Sequence, residues 1–166
     1  MTKIVNKNHP ALRQIAAPID PQWFGSVKLK KIVAEMSRAL AAQEDGVALA
    51  APQIGLPLAI FVVSGQILAV AKAGGQPPAD LVFVNPRITK LSKTKQAVEE
   101  GCLSVRWYYG RVRRATKAAI EAYDVNGQKF SYSGAGLMAQ IFQHETDHLA
   151  GILFTDKAKE IREFKP

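Results

Sequence analysis

From Val27 to Gln43 the apolar residues Leu29, Ile32, Val33, Met36, Ala39 and Leu40 return every three or four positions, the spacing of one helix face. Ser26 stands where an N-cap belongs and Gly46 lies just past the end, so the stretch predicts a scaffold helix. Leu58 to Val63 is a short unbroken apolar run, the mark of a buried strand, and Leu81 to Val84 reads as a second one ended by Asn85-Pro86. Between them, Gly65 to Pro78 is rich in Gly, Ala and Pro and predicts a long surface loop with room for a short strand. Ile88 to Val98 is polar with scattered apolar positions and fits edge strands. Ala118, Ile120 and Ala122 alternate with polar neighbours, Asn126-Gly127 supplies a tight turn, and Phe130 and Tyr132 resume the alternation, so a hairpin is expected. Leu137, Ile141, His144 and His148 form one stripe of a second helix, from about Ala135 to Ala150, which brings both imidazoles onto its buried face. Pro10, Pro18 and Pro21 suggest an extended arm before the first helix, and the tail to Pro166 is short and charged. The reading is an α+β fold: small, mostly antiparallel sheets packed around the C-terminal helix, one N-terminal scaffold helix, and a single domain over residues 1–166.

That last helix carries chemistry as well as packing. His144-Glu145-Thr146-Asp147-His148 places two imidazoles four residues apart, where they can grip one metal ion, and Glu145 beside them can reach a water without being a ligand. The bland alternative is a helix with two solvated histidines. A catalytic centre of this kind usually takes three protein ligands. The extended metzincin pattern is followed as far as Gly151, but Phe154 stands where its third histidine belongs. A thermolysin-like glutamate would have to be Glu160 or Glu163, close to the chain end. Upstream lies Cys102, the only cysteine, in Glu99-Glu100-Gly101-Cys102-Leu103-Ser104-Val105. A lone cysteine is more often a small buried hydrophobe, yet Gly101 permits close backbone approach and the apolar flanks fit a strand that would hold the thiol. His9, in the arm, reads as a surface or packing residue.

Together GVALAAPQ (46–53), EGCLS (100–104) and QHETDH (143–148) resemble the three ordered motifs of the peptide deformylases, and the likeness runs from the Asn8–Arg13 segment through Phe154. The resemblance implies metal ligation by Cys102, His144 and His148, with iron(II) preferred and zinc, nickel or cobalt accepted. It implies Glu145 as base and then acid, and Gln53 (side-chain amide) with Leu103 (backbone N–H) as donors to a developing oxyanion. Val47 and Gly101 would pair through their backbones with an extended peptide; Tyr109, Leu137 and Ile141 are candidates near a methionine pocket; Arg114 and Asp147 resemble a supporting charged pair, which could equally be a surface salt bridge. The implied substrate is a nascent N-formylmethionyl peptide, with formate as product. Nothing in composition or periodicity says formyl. Two departures stand out: Ala48 replaces a second glycine, and Arg106 replaces a proline ahead of the aromatic run Trp107-Tyr108-Tyr109, so substrate range is narrowed or shifted.

An apolar fraction of 48% over 166 residues argues for a real core. One cysteine excludes an intramolecular disulfide framework and suits a reducing compartment, and the opening residues hold no long apolar run, so a cytoplasmic protein with no membrane contact is expected. The net charge is +8, spread over several segments including Lys28, Lys30 and Lys31, Arg111, Arg113 and Arg114, and Lys157, Lys159 and Arg162. That favours anionic partners such as ribosomal RNA, although a solvated surface is the commoner meaning. Two other readings stay open: a metallopeptidase of different specificity on the same helix, and a non-catalytic ribosome- or RNA-binding homologue whose metal only staples the fold.

Overall fold

A computed structural model describes residues 2–70 and 78–164 of the chain. Helix α1 (Val27–Ala41) begins where the Ser26 hydroxyl accepts the Leu29 N–H at 3.2 Å, and it buries Leu29, Val33, Met36, Ala39 and Leu40. Strands β1 (Ala48–Ala50), β2 (Ile60–Val63), β3 (Leu81–Leu91), β6 (Lys117–Tyr123) and β7 (Lys129–Ala135) form one antiparallel sheet in the order β1-β2-β3-β6-β7. Strands β4 (Lys95–Glu100), β5 (Tyr108–Ala115) and β8 (Lys159–Glu163) form a second in the order β4-β5-β8, also antiparallel. Helix α3 (Leu137–Leu149) follows β7 directly. The α+β architecture is therefore the expected one.

The larger sheet is covered on both faces, which explains why β2 reads as an unbroken apolar run. Ile60 and Val62 pack with Leu29, Met36 and Leu40 of α1, whereas Phe61 and Val63 turn to the opposite layer with Phe83, Ile120 and Phe142. Phe83 stacks on Phe61 at 4.5 Å and meets Phe142 of α3 edge-on at 5.5 Å. A third cluster, Leu12, Val105, Val112, Leu153 and Phe154, ties the N-terminal arm and the C-terminal segment to the smaller sheet.

Several local expectations need correction. Strand β3 does not stop at Asn85-Pro86 but runs on to Leu91 through a register shift between Val84 and Arg87. Proline there is tolerated because the bulge takes it out of the ladder. Asn85, at φ 48°, binds the Ile19 backbone at 2.7 and 2.9 Å, so the irregularity anchors the arm. The predicted surface loop starts as a short helix, α2 (Gly65–Val70), and residues 71–77 of it lie outside the described residues. The arm contains two 3-10 turns, Pro10–Arg13 and Pro21–Trp23, each with proline at its start. His9 caps the first of them, its Nδ1 accepting the Ala11 N–H. The charged tail supplies β8, an exposed edge. Leu137 is half-exposed instead of joining the buried stripe, whereas Ala139 in the same turn is fully buried. Among the described residues, no helix is long and apolar enough to cross a membrane.

Candidate metal centre

Helix α3 stacks His144 and His148 one turn apart, with ring centroids at 4.9 Å. The smaller sheet brings the third donor. Strand β4 ends at Glu100, and Gly101 and Cys102 follow in a loop, not in the strand that the apolar flanks suggested. Gly101 is required there: a Cβ on it would lie 2.7 Å from the Tyr109 ring. Cys102 Sγ lies 3.3 Å from His148 Nε2, and one donor atom from each of Cys102, His144 and His148 falls within 4.8 Å of the others. A thiolate and two imidazoles in this arrangement are a donor set that zinc and iron(II) accept, and three protein ligands leave a coordination position open. Burial pushes the Cys102 thiol up, but His148 and His144 overcome it and bring the pKa to about 5, which favours the ligating thiolate.

Glu100 fixes this geometry, and the sequence reading gave it no role. Its Oε2 lies 2.9 Å from His144 Nδ1, which leaves His144 Nε2 for the cluster. The same carboxylate receives Arg114 through two hydrogen bonds of 2.7 and 2.9 Å. Burial raises the Glu100 pKa, yet Arg114 and His144 outweigh it and hold the carboxyl at about 2. Arg114 also donates to Asp147 Oδ2 at 2.7 Å, and Lys157 Nζ donates to both oxygens of the same carboxylate at 2.7 and 2.8 Å. Arg114 and Asp147 are thus paired behind the cluster, with Arg114 4% exposed. On β4, Val98 and Glu100 point inward against Ala97 and Glu99, but with glutamate at both 99 and 100 the residue types carry no signal of which one is buried.

Gln143, the first residue of the third motif, also went unassigned. Its side chain mimics a strand: Oε1 accepts the Ala115 N–H and Nε2 donates to the Ala115 carbonyl, both at 3.0 Å, with a further bond to Ala139 at 2.8 Å. It clamps α3 to the end of β5.

The cluster lies at the floor of an open cavity of about 340 Å³, to which Cys102, His144 and Glu145 contribute. Glu145 is buried, and among the described residues its Oε2 has no hydrogen-bond partner; nor has His148 Nδ1. Burial raises the Glu145 pKa, the setting of a carboxylate that can hold a proton. Gln53 is buried and lines the same cavity. Its Oε1 accepts the Ala50 N–H at 2.8 Å, which turns Nε2 toward Cys102 Sγ at 3.4 Å. Leu103 and Gly101 line the same cavity, as do Val47, Tyr109, Leu137 and Ile141 on its walls. Ala48 pairs with Val63 in regular β1, so its methyl group is accommodated in ordinary extended backbone. Arg106 reaches across the rim to Asp45 at 2.6 Å and Gln43 at 2.8 Å.

With this geometry in hand, comparisons with known proteins agree on one family. The family model described as Polypeptide deformylase matches residues 1–164. The chloroplastic peptide deformylase 1B of Solanum lycopersicum is 38% identical over 155 residues, 93% of this chain and 52% of that relative, so the chain spans about half the plant protein. The peptide deformylase of Brucella suis biovar 1 is 36% identical over 153 residues, 92% of this chain and 82% of the relative. A solved class I type b peptide deformylase from Acinetobacter baumannii, bound to Met-Ala-Ser, matches with a TM-score of 0.81 at 29% identity, over 93% of this chain and 97% of that one. A match along nearly the whole length, at these identities and around this donor set, means that the chain belongs to the polypeptide deformylase family, hydrolases that remove the N-formyl group from newly made peptides.

Proposed function

We propose that the chain hydrolyses the formamide of N-formylmethionyl peptides, with Cys102, His144 and His148 holding one divalent metal ion and Glu145 moving the proton. The observation that carries this reading is Glu145 Oε2, buried and without a hydrogen-bond partner among the described residues, next in sequence to one imidazole of a three-residue cluster at a cavity floor. When bound, the metal supplies Lewis-acid activation of water and of the formyl carbonyl. Glu145 accepts the proton as water oxygen attacks the formyl carbon, and returns it to the departing amine nitrogen as the C–N bond breaks. Formate and a free α-amino group result. Gln53 Nε2 and the Leu103 N–H donate to the formyl oxygen as its negative charge grows, each worth a few kcal/mol, about 3 in comparable sites. A closed four-residue staple is disfavoured, because the ligand cluster among the described residues holds three.

The peptide would leave the floor between β1 and the Gly101 segment. The Val47 carbonyl already accepts the Ser64 N–H at 2.9 Å, so strand alternation turns the Ala48 backbone groups to the open edge beside it. Tyr109, Leu137 and Ile141 would then face the methionine side chain, while Val47, expected to pair through its backbone, already gives its carbonyl to Ser64. That the Acinetobacter relative is described as holding Met-Ala-Ser supports a peptide in this position.

Iron(II) is the proposed native metal, with zinc, nickel or cobalt as substitutes, on the mixed sulfur and nitrogen donors. A cytoplasmic location is proposed from the single cysteine and the nascent-chain substrate, although the plant relative is chloroplastic by name. The net charge of +8 further suggests contact with ribosomal RNA; co-sedimentation with ribosomes should fall steeply between 50 and 200 mM salt, on the order of a thousandfold for six phosphate contacts, and salt-insensitive or absent binding removes that proposal.

The central test is Glu145→Ala. It should keep the metal and lose formate release from a formyl-Met peptide by roughly 10²- to 10⁴-fold. Undiminished turnover would show that Glu145 does not carry the proton.

A further inference from the structure

Trp107 stands at the rim of the cavity in a conformation that its side chain resists. Three non-glycine residues among those described have φ in the left-handed region, and of these Trp107, at 69°, lines the cavity. A bulky residue there is an outlier that persists only where its surroundings enforce it. The surroundings do so on both sides. Arg106 is fixed by Asp45 and Gln43, and its guanidinium carbon lies 5.6 Å from the Trp107 ring centroid. The Trp107 carbonyl accepts the Phe164 N–H at 2.7 Å.

Packing alone does not account for the indole. Trp107 as a residue is 40% exposed, whereas Gln53, Glu100 and Glu145 on the floor are 4% exposed or less. A peptide whose formyl group reaches that floor must pass the rim within its first residues, since an extended chain advances about 3.3 Å per residue. Arg106 stands near the indole, and Trp107 lines the cavity that the exiting peptide would cross.

We propose that Trp107 is a specificity-determining platform that stacks on an aromatic side chain of one of the residues directly following the formylated methionine. The inference rests on the deformylase reading for the direction of the peptide. Substrate selection, not proton transfer, is its role.

The test compares formyl-Met-Ala-Phe and formyl-Met-Phe-Ala with formyl-Met-Ala-Ala. At least one aromatic peptide should show a KM about 3- to 10-fold lower in the wild-type enzyme, the range of an aromatic pair. Trp107→Gly removes the ring and suits the left-handed backbone, and it should bring the KM ratio to about one; Trp107→Phe should retain part of the preference. In parallel, the product peptides Met-Ala-Phe, Met-Phe-Ala and Met-Ala-Ala are titrated by intrinsic fluorescence. The chain has two tryptophans, and Trp23 lies under Lys28, away from the cavity. The fluorescence response should therefore survive Trp23→Phe and vanish in Trp107→Phe, with the aromatic peptides binding more tightly. Turnover without any aromatic preference, or a preference intact in Trp107→Gly, overturns the platform and leaves the deformylase reading standing. Tighter binding of an aromatic product without turnover of any formyl peptide overturns the deformylase reading and leaves the platform. Loss of both overturns both.

Discussion

Glu100 holds two cationic or cation-capable partners at once, the His144 ring at 2.9 Å and the Arg114 guanidinium through two bonds. Glu100→Ala would leave Arg114 buried with only Asp147, at a cost of about 3–5 kcal/mol for a broken buried pair. It would also free the His144 ring, and loss of such a partner typically lowers metal affinity 10- to 100-fold. Denaturant unfolding and metal titration measure the two effects separately; wild-type metal affinity in a folded variant would remove Glu100 from the site. The ligand pattern itself was readable, because HExxH is a local spacing on one helix. Glu100 was not, since its burial follows from the pairing of Glu100 with Gly110 across two strands of which only the first had a sequence signal. Nor was the strain at Trp107, which an aromatic run does not announce.

At the level of elements, the site depends on how α3 is seated against β5. Gln143 gives the Ala115 N–H and carbonyl their partners inside a buried seam. Gln143→Ala would strand both groups, costing about 1–3 kcal/mol, and each kcal/mol should lower Tm by roughly 2–4 °C at this chain length. An unchanged Tm would mean that the seam is wet or that the clamp is not formed. Helix α1, strand β2 and the β6–β7 hairpin were legible because their periodicities match the faces they bury. Strand β5 escaped notice because its inward positions include Gly110 and Arg114, whose burial rests on Glu100 and Asp147 instead of on apolarity. The end of β3 was misread for a different reason: Asn85-Pro86 is a stop signal locally, but a bulge that holds the Ile19 backbone makes it part of the strand.

Across the whole molecule, the two sheets serve different ends. The larger one, covered by α1 and α3, gives the helix a rigid base; the smaller one carries Cys102 and Glu100 against the face of that helix that bears His144 and His148. The centre is thus assembled from positions 46 residues apart, which no local pattern could join without the family resemblance. The claim on which everything else depends is that one ion is shared by the sulfur of Cys102 and the rings of His144 and His148. Metal-edge X-ray absorption on the protein loaded anaerobically with one equivalent of zinc tests it directly. The account predicts one sulfur neighbour at about 2.3 Å and two imidazole nitrogens at about 2.0–2.1 Å, with the sulfur lost in Cys102→Ala. A first shell of nitrogen and oxygen alone in the wild-type protein would contradict it.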